Sequence, residues 1–156
     1  TGGGNTFLLV SQLYKHNLIT TLIEELKSGT AYLGTSAGSN ICGLTMQTTN
    51  DMPIVHPPSF KTLGIVPFNI NPHYQDPIKG THMGETRETR IKEFHHFNHT
   101  PVIGLREGSW IHAKNNKALL QGKLNARLFE PYKTPKEIVP ETDINTLILP
   151  EYSISC

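Results

Sequence analysis

The pentapeptide Gly34-Thr35-Ser36-Ala37-Gly38 restricts what this chain can fold into more than any other feature of its sequence. Residues 31–33, just before it, are predicted to form a short buried strand, and a short helix is expected to follow through Cys42. Glycines on both sides of a serine allow a strand to turn sharply into a helix, with the serine at a strained apex. The sequence therefore predicts a strand–turn–helix unit. The alternative is a tight turn in which the serine only caps the helix.

Helices and strands alternate along the rest of the chain. The expected elements are helices over residues 6–15 (capped by Asn5), 21–27 and 84–97, strands over residues 65–70 and 102–105, and a hairpin in which Asn115-Asn116 joins residues 110–113 to 118–120. This alternation predicts an α/β fold with a mostly parallel sheet flanked by helices.

The length of 156 residues suits one domain with a core, and we expect that domain over residues 1–130. Residues 131–156 are expected to form an irregular C-terminal tail, because four prolines interrupt them and no apolar period continues. The chain opens with Thr1 and three glycines, which is typical of a loop that follows a strand. The sequence therefore predicts a partial domain whose opening strands are missing.

Composition excludes several classes of partner. The formal net charge is +1 without a lysine and arginine cluster, so no nucleic acid is expected. No apolar run approaches the length of a membrane span, so no membrane is expected either. Two cysteines cannot supply a disulfide framework, and a reducing, cytoplasmic setting is expected. His95 and His99 have i, i+4 spacing, but no H-E-x-x-H set is completed, so no metal is expected.

Three residues of the types that serine catalysis needs follow predicted strands. Ser36, His73 and Glu107 each come just past the end of one strand. Since the carboxyl ends of parallel strands meet at one edge of a sheet, we expect the three side chains to lie together. A serine hydroxyl becomes nucleophilic when a base takes its proton and a third group orients that base. The sequence therefore predicts Ser36 as nucleophile and His73 as base.

The carboxylate partner of His73 stays open between two residues. Asp51 lies between Ser36 and His73 in the chain, the order of Ser–Asp–His triads, but it could equally be part of a local turn. Glu107 has the clearer position at the end of a strand and is slightly favoured.

Backbone N–H groups near Ser36 could stabilise the oxyanion that forms when a carbonyl is attacked. The N–H of Ala37 follows the serine directly, and Gly3 or Gly4, which lack side chains, could bring a second N–H close. The alternative for the two glycines is a flexible terminus.

Arg87 heads an apolar stripe on the third predicted helix. Ile91 and Phe94 follow it at i+4 and i+7, so the arginine is expected on the inward face. A lone buried charge is very costly, and a carboxylate of the substrate could pair with the guanidinium. The alternatives are an ion pair with Glu85, Glu88 or another surface acid, or an arginine that lays its aliphatic stem on the apolar surface and keeps its charge in water.

Six motifs of this chain resemble the peptidase E family, in the same order. They are Gly2-Gly3-Gly4-Asn5-Thr6, Gly34-Thr35-Ser36-Ala37-Gly38, Thr48-Thr49-Asn50-Asp51-Met52-Pro53-Ile54-Val55, Asn69-Ile70-Asn71-Pro72-His73, Gly84-Glu85-Thr86-Arg87-Glu88 and Glu107-Gly108-Ser109-Trp110. The resemblance covers residues 2–129. It implies a fold similar to that of class I glutamine amidotransferases, a flavodoxin-like three-layer arrangement, with a serine where those enzymes have a cysteine.

The resemblance also implies an activity: hydrolysis of dipeptides with N-terminal aspartate (Asp-X), through an acyl-enzyme on Ser36 and without a cofactor. The positions that match the family's site residues are Ser36 and His73, Glu107 and Asp51 as alternatives for the third member, Arg87 for the aspartyl carboxylate, and Gly3 and Gly4 near the oxyanion. A monomer or homodimer is expected. Two other functions stay open, a cyanophycinase-like hydrolase of β-aspartyl peptides and a catalytically silent binding protein on the same scaffold.

Overall fold

The computed structural model describes residues 1–77 and 84–152, with the backbone alone for residues 149–152. The helices and strands are α1 (Thr6–Lys15), α2 (Leu18–Lys27), α3 (Ala37–Asn40), β1 (Asn69–Asn71), α4 (Arg87–His95), β2 (Val102–Gly104), β3 (Ser109–Lys114), β4 (Lys117–Gly122), β5 (Ala126–Phe129), β6 (Lys136–Ile138) and α5 (Ile144–Tyr152). They confirm a mixed α/β chain. It divides into two compact units, Thr1–Pro72 and His73–Cys156. Among the described residues, no helix is both long and apolar enough to cross a membrane.

The first unit is built on α1 and α2. Asn5 caps α1, because its side-chain oxygen accepts a hydrogen bond from the Leu8 N–H at 3.1 Å. The predicted bounds of this helix, residues 6–15, are confirmed. α2 starts at Leu18, three residues before its predicted start, just after Asn17 in the left-handed conformation (φ 55°). Val10, Leu13, Ile41, Met46 and Leu63 form a buried hydrophobic cluster of this unit.

No regular strand is formed by residues 31–33, where the sequence predicts one, but this segment pairs locally with the start of the chain. The Thr1 amino group donates a hydrogen bond to the Leu33 carbonyl at 2.8 Å, and the Thr35 N–H donates to the Thr1 carbonyl at 3.0 Å. In parallel strands, a residue of one strand forms hydrogen bonds with two residues of the adjacent strand that are two positions apart, as Thr1 does here with Leu33 and Thr35. The glycine-rich start therefore lies beside the segment that leads into Ser36.

The strand predicted over residues 65–70 is shorter and starts later, as β1. Pro67 has no N–H to donate to a ladder. The N–H groups of Ile65 and Val66 instead bond the Cys42 carbonyl, at 2.8 and 3.3 Å. All three residues of β1 are buried.

The second unit holds a sheet in which β5 lies between β2 and β6. β2 pairs antiparallel with β5, and β5 pairs antiparallel with β6, with Arg127 opposite Glu137. These pairings correct the expectation of a mostly parallel sheet for this part of the chain. The short connection between β5 and β6 is physically too short for the crossover that a parallel pair needs. Tyr74, Ile91, Val102 and Phe129 form a buried cluster of this unit.

β3 and β4 form the hairpin that the sequence predicts. Asn115 and Asn116 make its turn, with φ angles of 50° and 61°. Positive φ at both central residues is what a type I′ turn requires, and asparagine tolerates it.

The segment after residue 130 is not the irregular tail that the sequence predicts. β6 pairs with β5, and α5 buries Ile144 and Ile148. Pro135 and Pro140 lie on either side of β6 and do not interrupt it. The proline count was misleading because these residues mark the ends of short elements.

Candidate active site

Ser36 lies at the apex of a sharp turn. Its backbone has φ 54° and ψ −113°, an unusual conformation for a residue other than glycine, and α3 begins directly after it. A Cβ atom on Gly34 would lie 2.4 Å from the Gly38 carbonyl oxygen, and one on Gly38 would lie 2.2 Å from the Thr1 carbonyl oxygen. Neither glycine can carry a side chain without displacing backbone. The turn that the pentapeptide predicts is present, and both of its glycines are required sterically.

Gly3 is the predicted oxyanion residue that the structure brings to Ser36. A Cβ atom built on Gly3 would lie 3.2 Å from the Ser36 Cβ and 3.5 Å from its Oγ. Gly4 follows with φ 133°, a conformation that favours glycine. Ala37, the other predicted donor, is buried as the first residue of α3.

Asp51 is held at the start of α1. Its Oδ2 accepts hydrogen bonds from the Thr6 N–H and the Thr6 hydroxyl, both at 2.6 Å, and lies 3.1 Å from the Thr49 hydroxyl. The Asn5 side-chain amide donates to the Met52 carbonyl at 2.9 Å in the same region. A carboxylate that accepts from the first N–H of a helix stabilises that helix and complements its dipole. These contacts give Asp51 a structural role.

His73 and Glu107 meet in the second unit. The His73 Nδ1 is hydrogen-bonded to the Glu107 Oε1, and the side chains are 46% and 76% exposed. The Tyr74 N–H donates to the Leu105 carbonyl at 2.9 Å, so the segments that carry the two side chains are bonded through their backbones. A carboxylate at Nδ1 favours the imidazole tautomer with its proton there, which makes Nε2 the basic nitrogen. This is the geometry of a histidine oriented for proton transfer.

Arg87 is the first residue of α4, which is shorter than the predicted helix because Thr86 caps it by accepting from the Thr89 N–H at 3.1 Å. The arginine is half-buried, and this burial, with the nearby Arg90, lowers the pKa of its guanidinium. The predicted apolar stripe beyond it is present, since Ile91 is buried and Phe94 packs against the same cluster.

Glu85 and Glu88 each form an ion pair on or beside α4. The Glu85 carboxylate accepts from the Arg90 Nε at 2.9 Å, and Glu88 pairs with Lys92 at 2.7 Å and with Arg127 at 3.3 Å.

His95 lies at the end of α4, four residues before His99. His95 is buried, its Nε2 lies 3.0 Å from the Thr100 carbonyl oxygen, and burial lowers the pKa of its imidazole. Within residues 1–77 and 84–152, no three histidine, cysteine, aspartate or glutamate side chains are grouped as metal ligands.

Sequence reasoning missed a set of asparagines that brace the first unit. Asn40, in α3, donates to the Ile70 carbonyl at 2.7 Å. Asn71 donates to the Asn50 Oδ1 at 2.7 Å, and Asn50 donates to the Pro72 carbonyl at 2.8 Å. These amides tie the helix after Ser36 and the loop before Asp51 to the segment that ends the unit. Asn71 comes directly after the predicted strand over residues 65–70, and that position was the signal that could have revealed it.

Arg106 was also missed as a functional candidate. It precedes Glu107 and hydrogen-bonds two carboxylates, those of Asp76 and Glu137. Nothing in the local sequence distinguishes it from an exposed loop arginine.

The chain resembles known proteins over most of its length. The model of peptidase family S51 matches residues 1–121. The chain is 51% identical over 148 residues to peptidase E of Streptomyces coelicolor (94% of this chain, 61% of the relative). It is 46% identical over 149 residues to the "Probable alpha-aspartyl dipeptidase" of Drosophila melanogaster (94% and 62%). The chain thus spans about three fifths of the length of these relatives.

A solved structure supports the fold. The crystal structure of a peptidase from an acI-B1 actinobacterium superimposes with a TM-score of 0.67 at 16% sequence identity, over 92% of this chain and 57% of that one. The resemblance to the peptidase E family that the sequence motifs indicate is confirmed by these matches. The chain belongs to peptidase family S51.

Proposed function

We propose that this chain carries the active site of a serine-type dipeptidase that hydrolyses dipeptides with N-terminal aspartate. The observation that carries the proposal is the turn at Ser36, where a serine at positive φ lies between two glycines that no other residue could replace. A sharp turn that leads directly into a helix is the local structure on which a nucleophile elbow presents its serine. The names of the relatives, peptidase E and alpha-aspartyl dipeptidase, support the same substrate class.

The proposed reaction has two steps. The Ser36 Oγ attacks the carbonyl carbon of the Asp-X peptide bond while the His73 Nε2 takes the hydroxyl proton. The oxyanion is stabilised by backbone N–H groups, for which the proposal assigns Ala37 and the Gly3-Gly4 segment. Collapse breaks the C–N bond, and the histidine returns the proton to the leaving amine of residue X. Water then hydrolyses the ester on Ser36 by the same proton transfers and releases aspartate.

We assign Glu107, and not Asp51, as the carboxylate that orients His73. The hydrogen bond between Glu107 and the His73 Nδ1 supports this assignment. The Oδ2 of Asp51 accepts hydrogen bonds from Thr6 at the start of α1, and these bonds explain the position of that carboxylate by a structural role.

Arg87 is proposed to bind the side-chain carboxylate of the substrate's aspartate. A guanidinium can donate two parallel hydrogen bonds to a carboxylate, and partial burial strengthens such a pair because water competes less. The half-buried position of Arg87 at the start of α4 supports this role.

The finer expectations about fold, assembly and location belong to the same proposal. The parallel hydrogen bonds between Thr1 and residues Leu33 and Thr35 support a glutamine amidotransferase-like arrangement around the serine. We further propose a monomer or homodimer that acts in the cytoplasm.

The test is release of leucine from Asp-Leu, Glu-Leu and Ala-Leu by the wild-type chain and by Ser36→Ala. Cleavage of Asp-Leu alone, abolished in Ser36→Ala, would support both the reaction and the carboxylate specificity. Ser28→Ala is the matched control, because it removes an exposed hydroxyl from the same unit. Unchanged activity of a folded Ser36→Ala protein would refute the proposal.

A further inference from the structure

The Arg106 guanidinium makes five hydrogen bonds within the second unit. Its Nε and Nη2 donate to the two Asp76 oxygens at 2.9 and 2.8 Å. Its Nη1 and Nη2 donate to the two Glu137 oxygens at 2.8 and 3.0 Å, and Nη1 also donates to the Asn125 carbonyl at 2.7 Å. All five N–H groups of the guanidinium are therefore used, and the side chain is only 15% exposed. We call Asp76, Arg106 and Glu137 the Arg106 cluster.

The cluster lies next to the proposed catalytic pair in the chain. Arg106 immediately precedes Glu107, and Asp76 follows His73 by three residues. The Arg106 guanidinium also lies 5.5 Å from the centre of the Tyr74 ring. The cluster therefore joins the segment that begins at His73 to the segment that contains Glu107, and it anchors both to β6 through Glu137.

The hydrogen bond between His73 and Glu107 lies at an exposed position. The His73 and Glu107 side chains are substantially exposed, and an exposed ion pair contributes only about 0–1 kcal/mol. Proton transfer nevertheless requires that a histidine be held within a fraction of an ångström of its productive position. The rigidity has to come from neighbouring groups, and the Arg106 cluster is bonded to both segments.

We propose that Arg106 is a positioning residue that keeps His73 and Glu107 in hydrogen-bonding register. This inference rests on the proposed function, in which that hydrogen bond orients the base. A guanidinium is required because it forms two parallel hydrogen bonds with each carboxylate, whereas a lysine ammonium has three donors on a point charge. The same hydrogen bonds from Arg106 hold the pKa of Asp76 below its ordinary value.

The test compares Arg106→Lys and Arg106→Gln with Arg127→Gln in the full chain. Arg127 reaches the same two acids at longer distances, 3.4 Å to Asp76 and 3.5 Å to Glu137, which makes it the matched control. For each variant, kcat and KM on Asp-Leu, the thermal midpoint, and the ring 15N shifts of His73 are measured. The 15N shifts report which ring nitrogen carries the proton, independently of activity.

We expect Arg106→Lys to lower kcat about 10- to 100-fold, the usual effect of removing a group that orients a functional side chain, with KM within about twofold. The 15N shifts should show loss of the preference for a proton on Nδ1. Arg127→Gln should lower the thermal midpoint but leave kcat within about twofold and the 15N shifts unchanged. If Arg106→Gln does not fold, Arg106→Lys and Asp76→Asn decide the question.

Two outcomes overturn the inference. One is an Arg106→Lys protein that is less stable yet keeps the wild-type kcat and 15N shifts. The other is a wild-type protein whose His73 shows no Nδ1–H preference. If instead no dipeptide is cleaved, but the preference is present and is lost in Arg106→Lys, the proposed function fails while the positioning role of Arg106 stands.

Discussion

Replacing each candidate carboxylate in turn, with Glu107→Gln and Asp51→Ala, should separate catalysis from stability. Glu107 is 76% exposed and bonds the His73 Nδ1, whereas the Asp51 Oδ2 accepts two hydrogen bonds at 2.6 Å from the first residue of α1. The first change removes an orienting group with few other contacts. The second removes a group with several structural contacts. The two variants should therefore fail in different assays.

The expected magnitudes follow from these contacts. A glutamine amide can donate to Nδ1 and so favour the wrong imidazole tautomer, which in serine peptidases lowers kcat about 10⁴-fold. Because an exposed ion pair contributes about 0–1 kcal/mol to stability, the thermal midpoint of Glu107→Gln should stay within about 4 °C of the wild-type value. For Asp51→Ala, hydrogen bonds to a charged group contribute about 1.5–3 kcal/mol each. Since the bonds share one oxygen, they do not add, and we expect a total loss of about 2–3 kcal/mol, roughly 4–12 °C.

The assay is leucine release from Asp-Leu at a temperature where both variants are folded, with thermal melts followed by circular dichroism on the same samples. We expect Asp51→Ala to keep kcat within about tenfold of wild type, because its effect is on the start of α1 and not on the base. A stable Glu107→Gln protein with wild-type activity, beside a folded but inactive Asp51→Ala protein, would refute this reasoning and transfer the role to Asp51.

Three further outcomes can be checked with the same material. Gly38→Ala places a Cβ 2.2 Å from the Thr1 carbonyl oxygen, so it should lower stability by about 1–3 kcal/mol and remove most activity. Gly2→Ala, whose Cβ meets no described atom within 4 Å, is its control for melts and turnover. Arg87→Gln should raise KM for Asp-Leu more than about tenfold. Arg90→Gln, at an exposed position, should change this KM less than about twofold. Equal changes of KM in the two variants would contradict the assignment of Arg87 to the substrate carboxylate. Burial raises the pKa of Tyr74 from 10.0 to about 12, so the stabilisation from this residue is complete below pH 10.0 and is lost as pH rises towards 12. The thermal midpoint should therefore fall less steeply with increasing alkaline pH in Tyr74→Phe than in wild type.

Several features were predictable from the sequence because their causes lie within a few residues. Asn5 and the apolar spacing after it predict α1 to the residue, since a cap and a helical face are local properties. Asn115-Asn116 predicts the hairpin, because few residue types tolerate positive φ at two successive positions. The turn at Ser36 follows from the glycines at positions 34 and 38 in the same way.

Other features depend on contacts that no local pattern encodes. The β5–β6 pairing and the burial of α5 overturn the irregular tail, because packing against distant residues outweighs a count of prolines. The partners of the two candidate carboxylates were undecided for the same reason. Asp51 bonds a residue 45 positions away, and Glu107 bonds one 34 positions away.

The sequence by itself determined the sharp turn at Ser36 that leads into a helix, the first helix, the hairpin and membership of peptidase family S51. Tertiary structure alone decided which carboxylate meets His73, how the strands of the second unit pair, and that Arg106 bonds Asp76 across 30 positions. The physical reason is the range of the interactions. Turns and caps are set by backbone sterics and hydrogen bonds between near neighbours, whereas the partner of a side chain is chosen when distant segments pack together.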